Sequence, residues 1–230
     1  MLLGLSGAAY AQAHSNDKQI VKQQKIVTIS AYTAKGDLEN LKVELNAGLD
    51  SGLTINELKE ILVHLYAYCG FPRSIRGIQT LMEVLDERKA KGIKDEMGRE
   101  ATPITDTRSR FDRGEEIQMK VTRRTVEELR GGYAAFSPEI AAFLKEHLFA
   151  DLFERDVLSF SEREVVTVSA LISMGGVEPM VKSHFIGALN VGVTADQLKQ
   201  LISVIETQVD KKDADTAKPI LEEVHTGRGK

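Results

Sequence analysis

Three observations predict an all-α fold. Apolar residues recur at helical spacing, as at Leu58, Ile61, Leu62 and Leu65. Thr54-x-x-Glu57, Ser161-x-x-Glu164 and Thr194-x-x-Gln197 read as capping boxes, the pattern that satisfies the first free N–H groups of a helix. No alternating strand pattern of useful length occurs. With 230 residues and 42% apolar content the chain can bury a sizeable core. Its 30 Lys and Arg stand against 34 Asp and Glu, with no basic block, so nucleic acid is not an expected partner.

Taken in order, the chain opens with MLLGLSGAAYAQA, uncharged and ending in the small-x-small pattern Ala11-Gln12-Ala13. Residues 1–13 therefore read as a signal-peptide-like segment, although a basic n-region is missing. Cleavage after Ala13 would start the mature protein near His14 and export it to the periplasm or beyond; without cleavage the expectation is cytoplasmic. The apolar run is too short to span a bilayer, so no membrane insertion is expected.

Two later stretches match each other. KIVTISAYTAKGDLENLKVELNAGLDSGLTINELKEIL starts at Lys25, and EVVTVSALISMGGVEPMVKSHFIGALNVGVTADQLKQLI starts at Glu164, with one extra residue near Gly175-Gly176. Matching at this length predicts a duplicated unit, each copy reading helix, turn, helix, turn, helix. The first unit is placed at 14–94 and the second at 137–230. A linker at 95–136 joins them, because residues 88–118 are charged, contain Gly and Pro, and lack a sustained apolar face. Such a segment is expected to drape the surface with short helical pieces. Ser137-Pro138 then marks a helix start leading into the second copy.

Both copies resemble the carboxymuconolactone decarboxylase family, which also contains the alkylhydroperoxidase D-type proteins. The resemblance rests on SEREVVTVSAL (161–171), HFIGALNVGVTADQLKQLI (184–202) and the stretch from Gly52 to Gly92, whose YAYCGFP is similar to a family run ending Tyr-x-Gly-x-Pro. It implies a compact helical fold that assembles into homo-oligomeric rings. One branch implies lyase chemistry on a small carboxylate-bearing lactone, without metal or organic cofactor. The other implies peroxide or disulfide reduction through a Cys-x-x-Cys pair before a histidine. Here the corresponding stretches, 35–44 and 175–184, contain no cysteine. The only cysteine, Cys69, shares the arc of Leu58, Ile61, Leu62 and Leu65. A core role is favoured for it over a redox thiol.

A proton donor for a carbanion-like centre and a group to hold a carboxylate are what the lyase reading requires. His184 projects from an apolar face and matches the family's histidine, so core packing and acid–base catalysis stand side by side for it. Glu164 matches the family's upstream acid, but its place at N3 of the Ser161 box favours a capping role. Its neighbour Arg163 is expected at the surface, with carboxylate binding as the alternative. In the first copy Glu44 occupies the His184 position. Glu60, His64 and Tyr68 share one helix side, either a row facing a cleft or a solvated face. Arg73 and Arg76 follow Pro72 and have the reach for bidentate carboxylate binding, although a surface role is favoured. His14, His64, His147, His184 and His225 show no metal-ligand spacing. Catalytic candidates are thus His184, Glu164 and His64; binding candidates are Arg73, Arg163, Tyr68 and Glu44. A non-catalytic binding or assembly module is the remaining class.

Overall fold

The computed structural model describes the backbone of residues 5–228 and the side chains of residues 19–227. The expected segment 1–13 falls largely outside this: residues 1–4 are not described, and the backbone from Leu5 opens the first helix. The His14 side chain likewise lies outside the described residues. Within them every regular element is helical, and no helix is long and apolar enough to cross a membrane.

Helix α1 (Leu5–Lys35) packs along α8 (Phe160–Met174), with α2 (Leu38–Asp50) and α3 (Ile55–Ala90) on one side of this pair. On the other side lie α9 (Glu178–Asn190), α10 (Ala195–Gln208) and α11 (Lys211–Arg228). Thr54 and Thr194 cap α3 and α10, each in a complete capping box. Leu58, Ile61, Leu62 and Leu65 are fully buried among Ile26, Leu41 and Leu45, and burying such a side chain contributes about 1.5–3 kcal/mol. Leu198, Leu201, Ile202 and Ile205 form the counterpart stripe against Val168 and Phe185.

Helix α3 is kinked. Gly70 adopts φ 81°, a conformation that glycine reaches without a Cβ penalty, and Pro72 follows. This break separates a half carrying the 58–65 stripe from a half running to Ala90.

The region expected to be a surface linker has two parts. Residues 91–109 form a strap across the start of α3, whose exposed N–H groups need acceptors. Glu96 O accepts from Ile55 N–H and Met97 O from Asn56 N–H, while the Asn56 amide donates to Gly98 O and Arg99 O. The second part departs from the expectation. Arg110–Thr122 is a regular helix, α4, and it buries Ile117 and Val121 against Leu148, Phe149, Leu152 and Phe153. Two single-turn helices follow, α5 (Val126–Leu129) and α6 (Tyr133–Phe136). Then α7 (Pro138–Phe143) begins at the expected Ser137-Pro138 start and widens into a π-helical segment, Leu144–Phe153. The third core formed here closes over the face of α3 that carries Val63, Tyr66 and Tyr68.

Candidate active site

The start of α8 sets the site. The residues SFSERE offer two overlapping capping boxes, and the cap is Ser159 with Glu162, two residues earlier than Ser161 with Glu164. Ser159 Oγ accepts from Glu162 N–H, and Glu162 Oε2 accepts from Ser159 N–H at 2.8 Å. The capping role expected for Glu164 is therefore corrected. Glu164 lies inside the helix, fully buried, and so does Arg163, which was expected at the surface.

Glu164 Oε2 accepts a 2.9 Å hydrogen bond from His184 Nδ1 on α9. The carboxylate is sealed from solvent, whereas the imidazole side chain keeps 24% exposure. The helices approach closely here because position 187 is glycine: a Cβ there would lie 3.3 Å from Glu164 Oε2. With Nδ1 donating to the carboxylate, a neutral ring presents its Nε2 lone pair away from Glu164. The other carboxylate oxygen, Glu164 Oε1, is buried without a hydrogen-bond partner.

Helix α3 brings three more candidates to the same interface. Glu60 and His64 are buried, which removes the solvated-face alternative for the Glu60–His64–Tyr68 row. Arg163 Nη2 donates to Glu60 Oε1 at 2.6 Å and to Arg155 O, and Arg155 holds both Glu60 oxygens at 2.9–3.1 Å. Arg163 Nη1 lies 3.2 Å from His64 Nδ1. A guanidinium can only donate, so His64 Nδ1 is the acceptor and Nε2 carries the proton. That proton goes to Thr167 Oγ1 at 2.9 Å, and Thr167 donates onward to Arg163 O. Burial, then the Arg163 charge, holds the His64 imidazolium well below its ordinary range. His64 is a neutral imidazole with both nitrogens engaged.

Tyr68 stands between the two imidazoles, its ring centroid 5.2 Å from His64 and 5.5 Å from His184. Its hydroxyl is buried beside Thr167, whose own hydroxyl is the neighbouring hydrogen-bonding group. Burial, then the Glu164 charge, raises its ionisation far above the usual phenol range.

The other candidates lie apart. Glu44 pairs with Lys25 at 2.9 Å and accepts from the Thr28 hydroxyl, so in the first matched stretch an ion pair spans the positions that Glu164 and His184 span in the second. Arg73 is exposed beyond the kink with its guanidinium against Gly36, and Arg76 binds Gln79. Cys69 is half-buried against the first core; its thiol donates to Leu65 O, and burial pushes it up to about 11. His147 and His225 are exposed.

Arg155 and Thr167 are site residues that sequence reasoning did not single out. Thr167 lies one turn after Arg163 on the same side of α8, a placement that the sequence shows once the helix is started at Ser159. Nothing local marks Arg155, which reaches Glu60 from the end of the π-helical segment.

Residues 138–223, which include Glu164 and His184, match the carboxymuconolactone decarboxylase family. The chain is similar to Peroxisomal protein 2 of Saccharomyces cerevisiae, with 22% identity over 212 residues, 80% of this chain and 73% of that protein. It is similar to an uncharacterized protein of Methanocaldococcus jannaschii, 25% identical over 77 residues covering 34% of this chain and 72% of that one. It also matches the 4-carboxymuconolactone decarboxylase of Acinetobacter baylyi at 33% identity over 64 residues, 28% of this chain and 48% of the enzyme. The chain thus contains a carboxymuconolactone decarboxylase family domain over 138–223.

Proposed function

We propose, from this domain and the pair it contains, that the protein is a lyase or proton-transfer enzyme acting on a small carboxylate-bearing lactone or acid. His184 is the general acid/base and Glu164 its buried partner. The observation that carries the reading is the asymmetry of the pair: a carboxylate with no exposure bonded to an imidazole that remains partly open. The carboxylate fixes the ring's tautomer and orientation and stabilises the imidazolium when it forms. In decarboxylation the bond to the departing carboxylate breaks, carbon dioxide leaves, and the electron pair stays on the carbon beside a carbonyl. Imidazolium at His184 then supplies the proton to that carbon, and the side chains themselves provide the acid and base.

The Glu60–Arg155–Arg163 cluster, two cations around one anion, supports the same reading by placing net positive charge behind the site. The name of the Acinetobacter relative points to lactone decarboxylation, and that substrate class is adopted here. Peroxide reduction through Cys69 is disfavoured by a thiol that burial keeps protonated and by the lack of a second cysteine. We retain as parts of the proposal a two-unit architecture, homo-oligomeric assembly and export; sedimentation and N-terminal sequencing of the expressed protein check the last two.

A screen of lactone acids by thermal shift, followed by carbon dioxide release from those that bind, tests the reading. His184→Gln is expected to lower turnover by about 100-fold or more, as loss of a general acid/base does. Turnover unchanged in both His184→Gln and Glu164→Gln would refute it.

A further inference from the structure

The second half of α3 carries more apolar surface than its own fold uses. Beyond the break at Gly70 and Pro72 it buries one face, with Gly77, Leu81 and Val84, and a second apolar row runs beside that face. Phe71, Ile75, Ile78, Met82 and Leu85 follow alternating steps of four and three residues, and Lys89 is next in the series. This spacing is that of a coiled-coil seam, a narrow stripe that receives another helix. Phe71, Ile75 and Met82 are 63%, 48% and 59% exposed, while Ile78 and Leu85 border the first core. Large apolar side chains open in one row mark an interaction surface. Phe71 is also held in place, since one face of its ring stacks on Tyr66 at 4.5 Å and 19°.

What fits this row is the same row reversed. A two-fold axis at the level of Thr80 lays it antiparallel on itself, so that Ile75 faces Leu85, Ile78 faces Met82 and Phe71 faces Lys89. No position of the row is left over. The Lys89 ammonium then meets the face of the Phe71 ring that Tyr66 leaves open, a cation–π contact. Charge favours the same arrangement. Exposed Arg76 flanks the first half of the row, and exposed Glu83 and Asp86 flank the second. The two-fold brings each sign against the other, whereas a parallel pairing sets each flank against its own sign. Within its own chain Arg76 binds the neutral Gln79, and Lys42 stands 4.0 Å from Glu83. We infer that the Phe71–Lys89 face of α3 is the contact through which two copies of this chain pair, antiparallel about a two-fold axis. The inference rests on the homo-oligomeric assembly proposed above and adds the surface that makes it. The kink at Gly70 lets one helix serve both purposes: His64 and Tyr68 before it border the candidate site, and the row after it forms the contact.

Sedimentation velocity of the expressed chain tests this for the wild type, Ile75→Glu/Met82→Glu and Phe136→Glu, with circular dichroism on all three. Phe136, an exposed residue of α6, controls for apolar surface elsewhere. The expected result is an oligomeric wild type, a mass halved in the double variant and unchanged in Phe136→Glu, and equal helical signal throughout. A second measurement leaves the contact intact. In Cys69→Ser/Gln79→Cys the new thiol lies beside the proposed axis, so a short bismaleimide is expected to join chains in pairs, and Cys69→Ser alone to remain single. Wild-type mass in the folded double variant, or no joining through residue 79, would overturn the inference and leave assembly through another face. A mass halved in Phe136→Glu as well would overturn it, since the loss would not be particular to the row. A wild type that sediments as a single chain would overturn the inference and the assembly it rests on, leaving the row to a different protein. If the double variant loses its helical signal, the cross-link decides: joined chains support the pairing and single chains overturn it.

Discussion

Replacing Glu60 is the sharpest probe of how the two halves of the protein are held together at the site. Its carboxylate is 3% exposed and lies 2.6 Å from Arg163, whose side chain has no exposure at all. Changing Glu60 to Leu strands the Arg163 charge in the interior, and removing one member of a buried pair costs about 3–5 kcal/mol. Arg155 contributes less to that figure, because it is 42% exposed and can turn to water; Arg155→Ala should cost less than about 1 kcal/mol. For a chain of this size, about 2–4 °C is lost per kcal/mol, so Glu60→Leu should melt about 6–20 °C lower. The double variant Glu60→Leu/Arg163→Met removes both charges. Its remaining deficit should be about 1–3 kcal/mol, from His64 Nδ1 losing its donor. Urea unfolding followed by circular dichroism, with calorimetry for the midpoints, measures all three. A Glu60→Leu variant that loses less than about 1 kcal/mol, or a double variant no more stable than Glu60→Leu alone, would refute the claim that Arg163 is a buried charge held by Glu60.

Three further outcomes follow from the geometry. Ser159→Ala should cost about 0.5–2 kcal/mol and Ser161→Ala close to nothing, a direct check of which serine caps α8 by urea midpoint. Because the His64 imidazolium is disfavoured in the fold, the unfolded chain binds its proton first. Its contribution to stability is therefore complete above about pH 6.5 and declines at up to about 1.4 kcal/mol per pH unit as pH falls below that. The decline is read as the difference between the wild type and His64→Gln in unfolding free energy over that range. Cys69, raised from 9.0 to about 11, should hold about 100-fold less thiolate than an ordinary cysteine, so iodoacetamide should label it at least that much faster in urea than in the native protein at pH 8.

Much of the fold is legible because single elements carry redundant signals. At α3 and α10 the Thr cap, the acid or amide three residues on, and the apolar stripe agree on one register. At α8 they compete: Ser159 and Ser161 are each followed three residues later by a glutamate, and helical propensity does not choose between them. What chooses is tertiary packing, since starting at Ser159 points Val166 and Ala170 into the first core and carries Arg163 and Glu164 inward with them. Local charge then misleads, because an arginine followed by a glutamate near a helix start resembles a solvated first turn. The acid that neutralises Arg163 lies 103 residues away, a pairing that no local pattern encodes. The same holds for α4. Its charges mark it as a linker, and its two buried apolar side chains, Ile117 and Val121, become significant only against the π-helical segment that covers them.

The two matched stretches differ in the side chains that bridge their corresponding helices. Lys25 and Glu44 stand where Glu164 and His184 stand, with acid and base exchanged between the helices. A lysine beside a carboxylate can brace two helices as an ion pair but is not the side chain that acid–base chemistry near neutral pH most often uses. An imidazole beside a carboxylate can do both, because its two protonation states lie close in free energy near neutrality. Reversing the order also matters: the imidazole of the second pair sits on α9, the outer helix, with an open edge, while its carboxylate is closed in on α8. His64 and Tyr68, which follow the first matched stretch on α3, pack beside the second pair, and Thr167 holds the His64 ring. The bridges thus differ at both positions, lysine and glutamate in the first stretch against glutamate and histidine in the second, and only the second carries the imidazole that the proposed acid–base role requires.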